Sequence, residues 1–258
     1  ELEHAVEPFT IELAARRCGI AASDIARLVD DLVAAPRAVV YGRLGTCHQT
    51  HGTLTSWLID VVNILTGNLD EPGGAMFALP PAFAANTEGE SGRGRGVTTG
   101  SHFSRVSLAP EVMGQFPMAC LAEEIDTPGD GRIRALITVA SNPARSAPDS
   151  RRVERALAEL DCLVCLDIYL NETTQYADVI IPGPSPLETA HYDLFFSQFA
   201  HRNTARFSAP VFALPPGVPD DWETMVRLIA ILRGDGSNAD VATLDDVLLR
   251  TTLQERAP

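Results

Sequence analysis

Residues 136–188 read LITVASNPARSAPDSRRVERALAELDCLVCLDIYLNETTQYADVIIPGPSPLE, and this stretch decides the fold. An apolar run, Leu136 to Ala140, breaks at Ser141-Asn142-Pro143. Arg145 to Pro148 read as loop. A helix around Arg151 to Leu160 follows, with Val153, Ala156, Leu157 and Leu160 inward. A second apolar run, Cys162 to Leu166, ends on Asp167. After a TTQYA turn a third, Val179 to Ile181, ends at Pro182. Strands this apolar, alternating with a helix, belong to a parallel sheet covered on both faces, so the fold class is α/β. In such sheets ligands sit beyond the carboxyl ends of the strands. Asn142 and Asp167 stand at those ends.

Upstream, Asp24 to Val33 reads as an amphipathic helix, with Ser23 as N-cap and Ile25, Leu28, Val29, Leu32 and Val33 on one face. Pro36 stops it, and Ala38-Val39-Val40-Tyr41 reads as a short buried strand. The loop GRLGTCHQTHG, Gly42 to Gly52, leads into a helix over about Thr53 to Thr66. Leu54, Trp57, Leu58, Val61, Val62 and Leu65 are its apolar residues, and Gly67 suits the position after its end. Residues 70–101 lose all periodicity and read as a long irregular loop, its charged Gly-rich run a solvated excursion. Downstream, Asp220 and Glu223 form a capping-box-like pair before a helix whose apolar face is Trp222, Met225, Leu228, Ile229 and Leu232; Gly234 ends it. The expected organisation is a strand–loop–helix portion over 1–80, an irregular connecting segment over 81–130, an α/β unit over 131–235 and a C-terminal extension over 236–258.

The net charge of −14 argues against nucleic-acid and anionic-membrane partners, whose binding needs clustered cations. No run approaches the length of a membrane span. Five scattered cysteines do not make a disulfide framework, so a reducing compartment, the cytoplasm, is expected. The chain opens on ELEHAVEP without an initiator Met and stops just after a helix-like stretch, as a piece of a longer polypeptide would.

Asp167 presents only acceptors, so it suits a ligand edge with two adjacent donors, such as the ring N–H and amino group of guanine. Taken alone it is better read as a turn or helix-capping Asp, because such aspartates are frequent at strand ends. Pro143 forces Asn142 out of the α region. The Asn142 amide could hold a phosphate or sugar, but from the residue alone plain turn chemistry is the better reading. His48 and His51 form H-x-x-H, but no third ligand lies nearby, and a ligand-contacting loop is the more natural reading. Cys162 and Cys165 sit three apart in a strand, hence on opposite faces, and read as core residues. The nucleophile elbow, the Walker loop and the dinucleotide fingerprint are absent.

Two blocks in order, GRLGTCHQTHG with its helix and LTGNLDEPGG (Gly42 to Gly74), then SNP with LDCLVCLDIYLNETTQYADVIIP and Leu187-Glu188, resemble the molybdopterin oxidoreductase family of formate dehydrogenases, periplasmic nitrate reductases and dimethyl sulfoxide reductases. The resemblance covers roughly residues 20 to 235. It implies Rossmann-like parallel sheets with helices on both faces, forming the central lobes around a bis-(molybdopterin guanine dinucleotide) cofactor carrying molybdenum. It implies that Leu44 and His48 lie in a first cofactor-contacting loop, and that Asn142, Leu166 and Asp167 also meet the cofactor, Asp167 at guanine. A longer parent chain would add an N-terminal [4Fe–4S] domain, a molybdenum ligand, a C-terminal cofactor domain and electron-transfer subunits as partners. This stretch would then contain no catalytic acid, base or nucleophile and would be inactive alone. A non-catalytic scaffold or electron-transfer relative, a freestanding guanine-nucleotide-binding module and, more distantly, a thiamine-enzyme-like domain are the alternatives.

Overall fold

A computed structural model describes residues 2–76, 89–90, 93–94, 99–112, 114–193 and 196–256, by backbone alone at 89–90, 93–94, 99, 197–198 and 252–256. The chain divides into two compact units, Glu1–Pro80 with Gln198–Asn203, and Pro81–Ser197 with Thr204–Pro258.

The first unit carries helices α1 (Leu2–Val6), α2 (Ile11–Cys18), α3 (Ala22–Ala34), α4 (Leu44–Cys47) and α5 (Gly52–Leu65). Helix α2, unanticipated from sequence, has a Thr10 cap, whose hydroxyl accepts from the Leu13 N–H, and ends on Gly19 at a φ of 74°. Helix α3 starts one residue before the expected cap: Ala21 takes that place without a side-chain bond, and Ser23 lies inside the first turn. Leu28, Val29 and Val33 on its apolar face remain at least half exposed. The Gly42–Gly52 segment, expected as loop, contains the single helical turn α4. Helix α5 lies within a residue of its expected bounds, and Gly67 takes the left-handed conformation expected after it.

Ala38 to Tyr41 form no strand. Asparagine side chains supply part of the pairing that a neighbouring strand would have given. Buried Asn63, on α5, accepts from Val40 N–H and donates to Val40 C=O, both over 2.9 Å, while Asn68 Oδ1 accepts from Ala38 N–H over 3.1 Å. Backbone polar groups need partners wherever water is excluded, and here an amide side chain mimics a peptide. The turn around Asn68 tightens further at Gly74, where a Cβ would stand 2.0 Å from the Asn68 carbonyl oxygen. Only glycine tolerates that approach.

In the second unit, β1 (Gly89–Glu90) pairs with β2 (Arg93–Gly94). The rest of the Gly-rich run up to residue 98 lies outside the described residues. Strands β3 (Thr99–Phe103) and β4 (Pro110–Val112) form an antiparallel pair, and α6 (Leu121–Asp126) follows. Part of the segment expected to be irregular over 81–130 is therefore regular, and Ile125 of α6 is fully buried in the core. Its short strands lack the long alternation that marks a strand in sequence.

Strands β5 (Ala135–Val139), β6 (Cys162–Leu166) and β7 (Val179–Ile181) form the parallel sheet in that order, with Val139 opposite Leu166 and Leu166 opposite Ile181. The α/β architecture expected from the apolar runs is present. Between β5 and β6 lie α7 (Pro143–Ser146) and α8 (Ser150–Ala158). The short α7 occupies part of the expected loop because Pro143, already set at a helical φ, sits at its first position. Leu163 and Cys165 of β6 pack against Ala122 and Ile125 of α6, Ala144 of α7, and Val153, Ala156 and Leu157 of α8. Arg152 on α8 grips Asp126 on α6 through two hydrogen bonds of 2.7 and 2.9 Å. Cys162, expected in the core with Cys165, points to the other face and is exposed.

Strands β8 (His191–Tyr192) and β9 (Phe207–Ser208) pair antiparallel, and helices α9 (Asp221–Arg233) and α10 (Val241–Arg256) close the chain. The Asp220–Glu223 capping box forms as expected. The buried stripe of α9 is Val226 and Ala230, whereas Trp222, Met225, Ile229 and Leu232 of the expected face stay substantially exposed.

Asn63→Leu should destabilise the first unit by about 1–3 kcal/mol although leucine is the more apolar residue, because Val40 loses the partners of both its backbone groups. Unfolding followed by Trp57 fluorescence in a Trp222→Phe background would report it; unchanged or raised stability would contradict this account of the Ala38–Tyr41 segment.

Candidate functional site

The carboxyl ends of β5 and β6 open into a cleft of about 690 Å³. Asn142, Leu166 and Asp167 line it, with Ala140, Tyr169, Asn171 and Gly183 among the others. The structure thus brings together three of the five residues singled out from sequence. Leu44 and His48 belong to the first unit, where both are exposed, Leu44 opening the turn α4 and His48 closing it. The first unit has its own cleft of about 410 Å³, lined by Tyr41, Gly42, Thr46 and Asn63 among others, and neither Leu44 nor His48 lines it.

Asp167 continues the sheet by one bond, its N–H donating to Ile181 C=O over 3.2 Å. Its carboxylate is partly committed: Oδ1 accepts from Tyr169 N–H over 2.9 Å, and Oδ2 from Asn171 Nδ2 over 3.0 Å. The turn role and the ligand role open in the sequence are therefore not exclusive. Each carboxylate oxygen carries two lone pairs, so one acceptor site per oxygen remains. The group is half-buried at the cleft wall, and these two bonds hold its plane. A second carboxylate, Asp221, also lines the cleft; its Oδ1 lies where a Cβ on Gly183 would come within 2.7 Å. Glycine at 183 makes room for it.

Asn142 is bonded at both ends of its amide. Nδ2 donates to Glu172 Oε2 over 2.9 Å and Oδ1 accepts from the Thr173 hydroxyl over 2.7 Å. Thr173 is fully buried and also accepts from Ala144 N–H. Asn171 accepts from the N–H groups of Thr173 and Thr174, and Thr174 donates back to Tyr169 C=O. The 171–174 loop therefore joins Asp167 to Asn142 through continuous hydrogen bonds. Arg145 reaches Glu172 Oε1 with Nε over 2.8 Å and Nη2 over 2.6 Å. The Arg145 guanidinium, then the Asn142 amide, hold the Glu172 carboxyl down at about 2.

Sequence reasoning missed Asn171, Glu172, Thr173 and Arg145. Arg145 and Glu172 lie 27 residues apart, and only the parallel return of β6 beside β5 brings them together. The one available signal was an N-x-T-T run just after a strand end, the composition of a side-chain-bonded turn. Among the described residues there is no cluster of three or more His, Cys, Asp or Glu able to hold a metal ion, and His48 and His51 form no part of one.

The class is a parallel α/β protein with its cleft at the carboxyl ends of the strands. The molybdopterin oxidoreductase family model matches residues 25–229, and the chain belongs to that family, which implies a molybdopterin cofactor. It is 26% identical over 254 residues to F420-dependent formate dehydrogenase 1 subunit alpha of Methanococcus maripaludis, covering 96% of this chain and 36% of the relative. It is 30% identical over 195 residues to a nitrate reductase of Symbiobacterium thermophilum, covering 69% and 25%. With trimethylamine-N-oxide reductase of Haemophilus influenzae it shares 25% identity over 198 residues, covering 70% and 24%. The chain thus spans about a third or less of the length of these relatives.

The Glu172 carboxyl ordinarily titrates at 4.5, so its ion pair contributes stability above that pH, and the contribution fades as pH falls from 4.5 toward about 2. Arg145→Met should remove this component. Unfolding curves between pH 5 and pH 3 at low salt should then fall less steeply for the variant than for the wild type. Parallel curves would show that the pair contributes nothing.

Proposed function

We propose that this chain is the central portion of a molybdenum-dependent oxidoreductase and that its cleft holds the guanine end of a molybdopterin guanine dinucleotide. The observation that carries the reading is Asp167. It is a half-buried carboxylate at the carboxyl end of β6, its plane held by Tyr169 and Asn171, with an acceptor site open on each oxygen. The donor set fits the base. Guanine offers a ring N–H and an adjacent amino group to two parallel acceptors, whereas adenine has no such pair of donors. Asn142 would take a sugar or phosphate oxygen with its second amide N–H, and Leu166 would supply apolar wall at the strand end. Leu44 and His48, in the first unit, are proposed separately as cofactor contacts of that unit.

When bound, the cofactor supplies two-electron redox chemistry, and the protein's task is to bind and orient it. Asp167 and Asn142 hold one end of a long ligand and leave the reacting end elsewhere. No side chain in these 258 residues is assigned an acid, base or nucleophile role, and the chain alone is expected to be inactive. The large exposed apolar residues, Leu28 and Val33 on α3 and Leu232 on α9 among them, support further domains of a longer parent as partners; that one of these carries a [4Fe–4S] centre is proposed from the family resemblance alone. Among the described residues no helix is long and apolar enough to cross a membrane. Cytoplasmic location is proposed from the cysteine pattern alone.

GDP at about ten times its Kd should raise the unfolding temperature by roughly 3–6 °C, and ADP at the same concentration by clearly less. Asp167→Asn should abolish the difference. Asparagine keeps one acceptor and loses the other, so the ligand-free unfolding temperature of the variant is measured alongside. Equal shifts for both nucleotides in the wild type would sink the guanine assignment.

A further inference from the structure

Asn142 lines the cleft, but the groups that hold it belong to the loop after the next strand. A primary amide has two N–H donors and a carbonyl with two lone pairs. Glu172 takes one donor and Thr173 one lone pair, so one of each remains. The carboxylate dictates which way round the amide lies. Turning Asn142 over would set its carbonyl against Glu172 Oε2, acceptor facing acceptor. The Thr173 hydroxyl, free to rotate, imposes no such choice. Glu172 is in turn tied by its other oxygen to Arg145, and it does not itself line the cleft.

We propose that Glu172, anchored by Arg145, is a positioning residue that fixes the orientation of the Asn142 amide and so keeps its second N–H available for a sugar or phosphate oxygen of the bound nucleotide. The inference rests on the reading of the cleft as a nucleotide site. It concerns a different part of the ligand from Asp167. Asp167 meets the base and governs the preference for guanine over adenine, whereas Asn142 meets a group that both nucleotides share. Loss of Glu172 should therefore weaken GDP and ADP alike.

Glu172→Gln is the informative change. Glutamine can give its oxygen to Arg145 only by turning its amino group toward Asn142, which frees Asn142 to flip. The variant also removes a negative charge near an anionic ligand, which by itself would tighten binding. A weakening is therefore opposite in sign to the charge effect. Calorimetry should show GDP and ADP both weakened about threefold to tenfold, the worth of one hydrogen bond, with their ratio unchanged. In an Asn142→Ala background the same substitution should produce no further weakening. In the ligand-free chain, the side-chain amide resonances of Asn142 should shift on Glu172→Gln. Unmoved resonances, unchanged or tighter affinities, or an equal weakening in the Asn142→Ala background would each overturn the inference while a wild-type preference for GDP left the cleft reading standing. A wild-type chain that binds neither nucleotide would overturn both.

Discussion

The arrangement of the cleft depends on one buried hydroxyl. Thr173 has no exposure to solvent, donates to Asn142 Oδ1 and accepts from Ala144 N–H, and so ties the loop after β6 to the start of α7 after β5. Two strand ends that lie side by side in the sheet would otherwise carry independent loops. A buried polar group is costly unless satisfied, and a satisfied network is stiff for the same reason. Around Thr173 the side chains of Asn171, Glu172 and Thr174 are each held by two or more hydrogen bonds. Asp167 and Asn142 are held by a common frame, which is what a site reading two parts of one ligand needs.

That frame stands on an apolar base. Leu163 and Cys165, on the face of β6 toward the helices, are fully buried against α6 and α8, and the Asp126–Arg152 pair ties those helices together at the edge of the same core. Parallel strands cannot be joined by a short turn, so the helices that complete the connection also build the core. The carboxyl ends of the strands are left to the loops. The first unit has a different solution. There the described residues buried from water are Gly52, Asn63 and Asn68, and asparagine side chains pair with backbone where a strand was expected.

The parallel sheet was legible because its signal is local and strong. The runs Cys162–Leu166 and Val179–Ile181 are the strands, residue for residue. The capping box at Asp220 and the left-handed Gly67 were legible for the same reason, since a few adjacent residues carry the chemistry. The supposed strand at Ala38–Tyr41 shows the limit. A short apolar run states a preference for extended backbone, and whether it pairs depends on what lies beside it. Helix α9 shows another limit: its sequence offers two neighbouring apolar stripes, and packing buried Val226 and Ala230.

In the candidate site, Asp167 and Asn142 could be picked out by position alone, because strand ends of a parallel sheet are where loops and ligands meet. Their partners could not. Asn142 and Glu172 lie 30 residues apart, and neither residue type announces the other. Sequence by itself determined the three strands of the parallel sheet, their order along the chain and local caps and turns such as Gly67, Pro143 and Asp220, because those follow from local apolar runs and from the stereochemistry of proline, glycine and short polar side chains. Tertiary structure alone decided which way the Asn142 amide lies. The carboxylate of Asp167 takes partners two and four residues along the chain, whereas the groups that hold the Asn142 amide come from a loop 30 and 31 residues away that only the assembled sheet brings within 3 Å.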